Sequence, residues 1–157
     1  MKYIELTQGK KVMVDNEDYK ELNKYKWYAV KGLNTFYARR SVPTTTGGKG
    51  SVRMHRIIMQ TPEGMDTDHI DGDGLNNQKE NLRLCTRSEN LMNQSRNRNN
   101  TSGYKGVNWN KRDKKWMSQI KVKGKQIHLG YFSGKEEAHK AYCEASKRYH
   151  GEFGNVN

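Results

Sequence analysis

A polar stretch without a single apolar residue divides this chain and most constrains its fold. It reads QSRNRNNTSG and runs from Gln94 to Gly103, a composition that cannot bury enough apolar surface to fix one conformation. We therefore predict a linker at residues 94–102, between one domain at 1–93 and another at 103–157. Each of these parts must build its own small core.

The composition supports two small cores and a polyanionic partner. Only 32% of the 157 residues are hydrophobic, below the roughly 45–50% apolar residues of typical soluble domains. Residues 1–93 carry 15 basic and 12 acidic side chains, a net charge of +3, and residues 94–157 carry 14 and 5, a net charge of +9. Such an excess of positive charge favours nucleic acid as the partner, with an acidic membrane surface as the second choice.

The sequence also predicts where the protein works. No window approaches the roughly 20 apolar residues of a membrane span, and the run MKYIELTQGKK lacks the apolar segment of a signal peptide. Cys85 and Cys143 lack the spacing of a metal-binding pair. We expect a cytoplasmic protein with no membrane partner and no small-molecule cofactor.

Residues 1–42 have the pattern of a β-rich lead-in. The runs YIEL, KVMVD, KWYAV and FYARRSV have strand character, and DNEDYKELNKY predicts a short helix. After the turn TTTGGKG, the run VRMHRIIM is compatible with either a helix or a strand.

The segment MDTDHIDGDGLNNQKENLRLCTRSENLMN, residues 65–93, carries the candidate chemistry. It predicts a strand with Asp68 and His69, a loop rich in glycine and asparagine, and a second strand at 82–86. A T-x-x-E capping box that begins at Thr86 predicts a helix from residue 87 onward.

The polar residues of this segment suit phosphodiester hydrolysis. The predicted helix turns Asn90 toward the strand that carries Asp68 and His69. A histidine of ordinary pKa can take a proton from water, and a carboxylate with an amide oxygen suits Mg²⁺. An Asp-His pair alone is more often structural than catalytic, so the residue types leave both interpretations open.

The runs VRMHRIIM and TDHIDGDGLNNQKENLRLCTRSENLMN resemble the HNH nucleases of the phage homing-endonuclease type, over residues 50–93. The resemblance implies a ββα-metal active site in which His69 is the general base and Asp68 a metal ligand. It also implies that Asn81 fixes the loop and orients the histidine, and that Asn90 completes the metal site. An Asp/Asn pair favours one Mg²⁺ or Mn²⁺ ion over Zn²⁺.

Six arginines are candidate phosphate contacts. Arg53, Arg83 and Arg87 flank the proposed site, Arg56 lies in the run HRII, and Arg96 and Arg98 lie in the linker. A solvated charged surface remains the alternative for each of them.

The run KKWMSQIKVKGKQIHLGYF alternates between a basic and an apolar face from Lys115 onward. The run KGK at 123–125 predicts a hairpin turn. Apolar residues at helical spacing then predict a helix from Lys135, with Ser133 as N-cap and Gly151 as its end. This helix should cover the apolar face and leave the lysine face to a ligand.

This C-terminal part resembles the Apetala/ethylene-response-factor type DNA-binding domain, through YKGV, HLGYF, EEA-x-x-AY and YHGEF. The resemblance implies a three-stranded sheet in the DNA major groove. The residues implied to contact the duplex are Lys105, Asn108, Trp109, Asn110, Lys115, Gln119 and Lys121. Several of these are arginines in the plant proteins, so the plant preference for G·C-rich sites does not follow here.

Together these observations predict an α+β protein: a β-rich lead-in with a ββα-metal unit, then a three-stranded antiparallel sheet packed on one helix. We expect a monomeric, site-specific homing endonuclease that acts on double-stranded DNA. It would use a histidine base and one divalent metal ion, and leave 5′-phosphate and 3′-hydroxyl ends. The alternatives are a DNA-binding regulator with an inactive nuclease unit and a non-specific or RNA-directed nuclease.

Overall fold

The computed structural model describes residues 1–96 and 99–156, and the chain divides into two compact units, Met1–Asn90 and Leu91–Asn157. The predicted DNA contact Arg98 lies outside the described residues. The elements are β1 (Lys2–Thr7), β2 (Lys11–Val14), α1 (Asn16–Leu22), β3 (Trp27–Lys31), β4 (Phe36–Pro43), β5 (Lys49–Arg53), α2 (Met54–Ile58), β6 (Asp66–His69), β7 (Asn76–Asn77), β8 (Leu82–Cys85), α3 (Arg87–Met92), β9 (Val107–Asn110), β10 (Lys115–Val122), β11 (Lys125–Phe132) and α4 (Lys135–His150).

The β-rich lead-in is confirmed as most of a six-stranded sheet in the order β5-β4-β3-β1-β2-β7. β1 and β2 form an antiparallel hairpin, and α1 then returns the chain so that β3 pairs parallel to β1. Alternate residues of these strands are buried, as the period of two requires. Ile4, Val12, Val14, Trp27 and Met54 are among the residues of the resulting core.

The run VRMHRIIM contains both of the structures that its sequence allowed. β5 ends at Arg53 and α2 begins directly at Met54. Met54 and His55 are buried, which fixes this short helix against the first sheet. The helix ends at Ile58, and the chain then leads into β6.

β6 and β8 form a separate two-stranded antiparallel sheet, and α3 follows β8. The capping box is confirmed: the backbone N–H of Thr86 donates to Glu89 at 2.7 Å, and the N–H of Glu89 donates to the Thr86 hydroxyl at 3.3 Å. This reciprocal pair satisfies two donors at the start of α3. The predicted strand, loop, strand and helix are therefore present in the predicted order.

In the second unit, β9, β10 and β11 form the predicted antiparallel sheet, with β10 at its centre. Lys123 and Gly124 have positive φ angles of 49° and 80° in the hairpin turn between β10 and β11. α4 covers one face, where Ile120 packs against Tyr142 and Ala145. The α+β class expected for the chain is thus confirmed.

The predicted N-cap of α4 is wrong by one residue. The N-cap is Gly134 and not Ser133, and no side chain caps this end. Glu136 and Glu137 lie in the first turn instead, where negative charge complements the helix dipole. The predicted end at Gly151 is confirmed, with a φ of 54°.

Gly106 shows how closely the helix approaches the sheet. Its φ is 73°, and a Cβ at this position would lie 2.2 Å from the Tyr142 ring and 2.6 Å from the carbonyl oxygen of Gln119. Only glycine fits this conformation and this gap. Across both units, the described helices include none with the length and apolar character needed to cross a membrane.

Candidate functional site

His69 lies at the end of β6 and is only 5% exposed. Its Nε2 lies 2.8 Å from Oδ1 of Asn77, which is fully buried. An amide oxygen can only accept, so Nε2 of the neutral ring carries the proton and Nδ1 is the basic nitrogen. Asn77 is itself held by the parallel pairing of β7 with β2, where it lies opposite Val14.

Two further rings surround His69. The His55 ring lies edge-on to it, with centroids 4.8 Å apart, and the Tyr37 ring lies 5.9 Å away. Burial, followed by the neighbouring cationic groups, lowers the pKa of His55 to about 3. Burial also lowers the pKa of His69, although the bond to Asn77 and nearby carboxylates oppose this. Both rings are therefore neutral at neutral pH, and His69 can accept a proton.

Asn81 holds the loop between β6 and β8. Its Nδ2 donates to Asp71 Oδ1 and to the Asn76 carbonyl, both at 2.9 Å, and its Oδ1 accepts the backbone N–H of Asp71 at 3.1 Å. These bonds fit the predicted role in fixing the loop. The predicted hydrogen bond from Asn81 to the histidine is made instead by Asn77, which bonds to the His69 ring and which sequence reasoning missed.

The far end of this loop is tied to the lead-in. The Asp15 carboxylate accepts the backbone N–H of Lys79 at 2.8 Å and the Gln78 side chain at 3.2 Å. The backbone bond from Lys79 is the main cause that lowers the pKa of Asp15. The carboxylate therefore stays ionised and anchors the segment that presents Asn77 and Asn81.

The acidic groups of β6 each face arginines. Asp68 Oδ2 accepts from Nε and Nη2 of Arg83 at 3.0 and 2.8 Å. Asp66, two residues earlier, accepts from Asn90 at 3.1 Å and from Arg87 at 3.4 Å. Arg56 lies 3.9 Å from Asp66 and donates to the Met65 carbonyl at 2.9 Å. The predicted phosphate contacts Arg56, Arg83 and Arg87 are thus next to carboxylates.

The predicted metal ligands supply oxygen atoms, which are the donors that a hard cation such as Mg²⁺ prefers. Asp68 offers a carboxylate and Asn90 an amide oxygen, and the bond from Asn90 to Asp66 shows that α3 faces β6. Mg²⁺ typically takes one or two such protein ligands and keeps several waters. Within residues 1–96 and 99–156, no group of three or more histidine, cysteine or acidic side chains is placed to hold a metal.

In the second unit, the strand register sorts the predicted DNA contacts onto the sheet faces. Asn108 pairs with Met117, and Asn110 pairs with Lys115, so these side chains share the face away from α4. Trp109 does not share that face: it pairs with Trp116, and the two rings lie 5.0 Å apart.

Five of the predicted DNA contacts line one cavity of about 480 Å³ in this unit, and they are Arg96, Lys105, Asn108, Gln119 and Lys121. The sequence resemblance implies that Lys105 lies on the first strand of this sheet, and this is wrong: Lys105 precedes β9. Its Nζ donates to the Met92 carbonyl at 2.7 Å, and burial lowers its pKa to about 8. The cavity therefore combines three cationic side chains with amide groups.

Sequence reasoning missed the contribution of β11 to this face. Gln126 and His128 are the register partners of Lys121 and Gln119, and both are exposed. Tyr131 is 43% exposed and lies beside His128, with ring centroids 4.6 Å apart.

Comparison with protein families finds one match in each part of the chain. The family described as HNH endonuclease matches residues 53–92, and the AP2 domain matches residues 102–152. The chain therefore contains one region similar to HNH endonucleases, called the HNH domain below, and one similar to AP2 domains, called the AP2 domain. The HNH match contains His69 and the other three predicted catalytic and metal-binding residues, whereas Arg96 lies between the two matches.

Two viral proteins resemble the chain. Protein 3.8 of Escherichia phage T7 is 43% identical over 65 residues, which are 41% of this chain and 54% of that protein. An uncharacterized HNH endonuclease of Acanthamoeba polyphaga mimivirus is 28% identical over 143 residues, 87% of this chain and 68% of that protein. The chain thus spans about half the length of the first relative and about two thirds of the second. No solved structure matches the chain significantly.

These findings support nuclease activity for the HNH domain and DNA binding for the AP2 domain. Asn77 lies within the HNH match, in the dipeptide Asn76-Asn77. These two asparagines are the feature of the sequence that could have indicated a role for Asn77. Tyr37 lies before the match, and nothing in its local sequence indicates that its ring packs on His69.

Proposed function

We propose that the protein is a site-specific DNA endonuclease of the homing type, which hydrolyses one phosphodiester bond per active site. The observation that carries this proposal is the buried, neutral His69, whose bond from Nε2 to Asn77 assigns the proton to Nε2 and the basic lone pair to Nδ1. Cutting the second strand of the duplex would need another active site or a second round of binding and cleavage. The simplest expectation is therefore that a monomer nicks one strand.

His69 takes a proton from the attacking water through Nδ1. Asn77 keeps the ring in the required tautomer, because its buried carbonyl oxygen accepts the proton-bearing Nε2. His55 restricts the ring through an edge-on contact and Tyr37 through a tilted one. Burial lowers the pKa of His69 and keeps it unprotonated before each turnover, which a general base requires. The products are a 5′-phosphate and a 3′-hydroxyl.

Asp68 and Asn90 would hold one divalent cation, Mg²⁺ or Mn²⁺, because both supply oxygen donors. When bound, such an ion supplies positive charge for the phosphoryl oxygens and the leaving 3′ oxygen. Arg83 fixes the Asp68 carboxylate through two hydrogen bonds from one side. Arg56 and Arg87 neutralise Asp66 and keep the surface near β6 compatible with a polyanion.

The AP2 domain selects and retains the DNA. Its sheet face away from α4 carries lysine, asparagine and glutamine side chains, and lysine suits phosphates whereas amides suit adenine. Arg96 adds a further cation at the cavity that these residues line. Specific binding by one domain raises the local concentration of substrate at the other.

Cleavage of supercoiled plasmid that carries candidate phage and host DNA tests the proposed function. We expect nicking with Mg²⁺ and none with EDTA, and faster cleavage of a cognate duplex than of random duplex or RNA. Equal rates on all three substrates would contradict the site-specific function. Binding without any cleavage would favour the DNA-binding regulator with an inactive nuclease unit.

The lysines of the AP2 sheet should set the salt dependence of DNA binding. Lys115 and Lys121 are exposed on the face away from α4. We expect the double variant Lys115→Gln, Lys121→Gln to bind DNA more weakly than the wild type. The negative slope of log K against log salt should become shallower by about 2, near 0.9 for each lost phosphate contact. Gel-shift titrations over a range of salt concentrations measure this slope.

The matched control removes two exposed lysines from α4, Lys140 and Lys147. It produces the same change in net charge on the other side of the domain. Its slope should remain close to that of the wild type. An unchanged slope in the sheet variant would overturn the assignment of these lysines.

A further inference from the structure

The longest part of the sequence without an acidic residue lies in the first unit. Between Glu21 and Glu63 the chain holds eight lysines and arginines and no aspartate or glutamate. This stretch contains β3, β4 and β5, which are adjacent at one end of the six-stranded sheet. The positive charge is therefore concentrated on one region, where it creates a potential that attracts anions.

Two of these cations face each other on neighbouring strands. Arg39 of β4 is the register partner of Arg53 of β5, so both side chains leave the same face of the sheet. Like charges directly opposite each other destabilise a strand pair. Desolvation, followed by repulsion from Arg39, lowers the pKa of Arg53, although an arginine guanidinium stays protonated at physiological pH.

In the part of the chain that the structure describes, neither arginine forms an ion pair, although the more distant Asp66 attracts Arg53. Among the described residues, no carboxylate lies within ion-pair distance of either guanidinium, and the buried Nε of Arg39 has no hydrogen-bond partner. Arg83 and Arg87, in contrast, each pair with an aspartate of β6. The cross-strand pair thus lacks the counter-anion that Arg83 and Arg87 have.

The arginine pair is continuous with the candidate active site. The guanidinium carbon of Arg53 lies 5.5 Å from the centroid of the Tyr37 ring. The same ring lies 5.9 Å from the ring of His69. Because Tyr37 and Arg39 are two residues apart on β4, they share a strand face. A chain of contacts therefore connects the pair to the general base.

We propose that Arg39 and Arg53 bind backbone phosphates of duplex DNA beside the bond that His69 attacks. The register partners Ser41 and Ser51 extend the same face with hydroxyl groups, which commonly contact phosphate. A phosphate between the guanidiniums removes their repulsion and accepts charge-assisted hydrogen bonds from both. This site deepens the proposed function, on which it rests for the choice of DNA as the polyanion.

The salt dependence of DNA binding by the full chain tests the site, in EDTA and with a short random-sequence duplex as the probe. We expect the double variant Arg39→Gln, Arg53→Gln to make the negative slope of log K against log salt shallower by about 2. The control is Arg40→Gln with Lys20→Gln, which removes the same charge elsewhere. Arg40 lies on the opposite face of β4, over the Tyr25 ring at 4.0 Å, and Lys20 is exposed on α1.

An unchanged slope, or an equal fall in the control protein, would overturn the proposal. Thermal unfolding checks the fold, and removing the like-charge pair should leave the melting temperature unchanged or raise it. If the double variant does not fold, Arg53→Gln alone must lower the slope by about 0.9, since this side chain is exposed. Because binding is measured without divalent metal, wild-type protein that binds but never cleaves would refute the nuclease function and not this site.

Discussion

The His69→Ala protein should bind DNA as tightly as the wild type and cleave it about 10²–10⁴-fold more slowly, the range that a positioned general base contributes. The imidazole takes the proton from water but is buried and neutral, so it is not a major anchor for phosphate. Single-turnover rates on plasmid with Mg²⁺ measure the loss of cleavage. Gel shifts in EDTA measure DNA binding.

His139→Ala is a suitable control for this experiment. His139 lies on α4 and stacks on Tyr104, with ring centroids 4.3 Å apart, so its loss tests the general effect of removing a histidine. Its cleavage rate should match that of the wild type. A His69→Ala protein that retains the full cleavage rate would contradict the assignment of His69 as the base.

Local signals in the sequence predicted helices and strands in both units of the chain. The capping box at Thr86 and Glu89 involves residues three apart, so its hydrogen bonds follow from the local sequence once a helix begins. The alternation along β10 predicted which face α4 covers, because a strand's side chains alternate whatever the sheet around it. The family matches confirm the resemblance to an HNH endonuclease and an AP2 domain.

The surroundings of His69 could not be predicted, because they come from distant parts of the chain. Asn77 reaches the ring only because β7 pairs parallel with β2, more than 60 residues earlier. Tyr37 reaches it from β4, which the sequence identified as a strand without indicating its neighbours. The sequence of a strand does not indicate which distant strand pairs parallel with it. The two strands of a hairpin, in contrast, can be recognised from the turn residues between them.

The N-cap of α4 shows a different limit. Ser133 is the residue type that caps best, yet the N-cap of the helix, which begins at Lys135 as predicted, is Gly134. β11 ends at Phe132, so the chain needs both Ser133 and Gly134 to pass from the sheet to the helix. Tertiary geometry thus overrides the local preference.

Removing Arg83 should destabilise the HNH domain strongly. The side chains of Arg83 and Asp68 are only 13% and 8% exposed and lie 2.8 Å apart. Removing one partner of a buried ion pair leaves the other charge without compensation, at a cost of about 3–5 kcal/mol. We expect Arg83→Ala to lower the free energy of unfolding by about 3 kcal/mol, as measured by urea denaturation.

Arg87→Ala provides the matched control, because Arg87 pairs with Asp66 at 3.4 Å but its side chain is 76% exposed. An exposed pair contributes about 0–1 kcal/mol, so this variant should remain close to the wild type. Equal stability of the two variants would show that the Asp68 carboxylate does not depend on Arg83. A large difference has a consequence for tests of the metal site: Asp68→Ala would remove the hydrogen bonds that Arg83 makes to this side chain and destabilise the domain. Asp68→Asn removes the negative charge but keeps an oxygen acceptor for Arg83, so weaker metal binding by a folded Asp68→Asn protein would show what that charge contributes to the site.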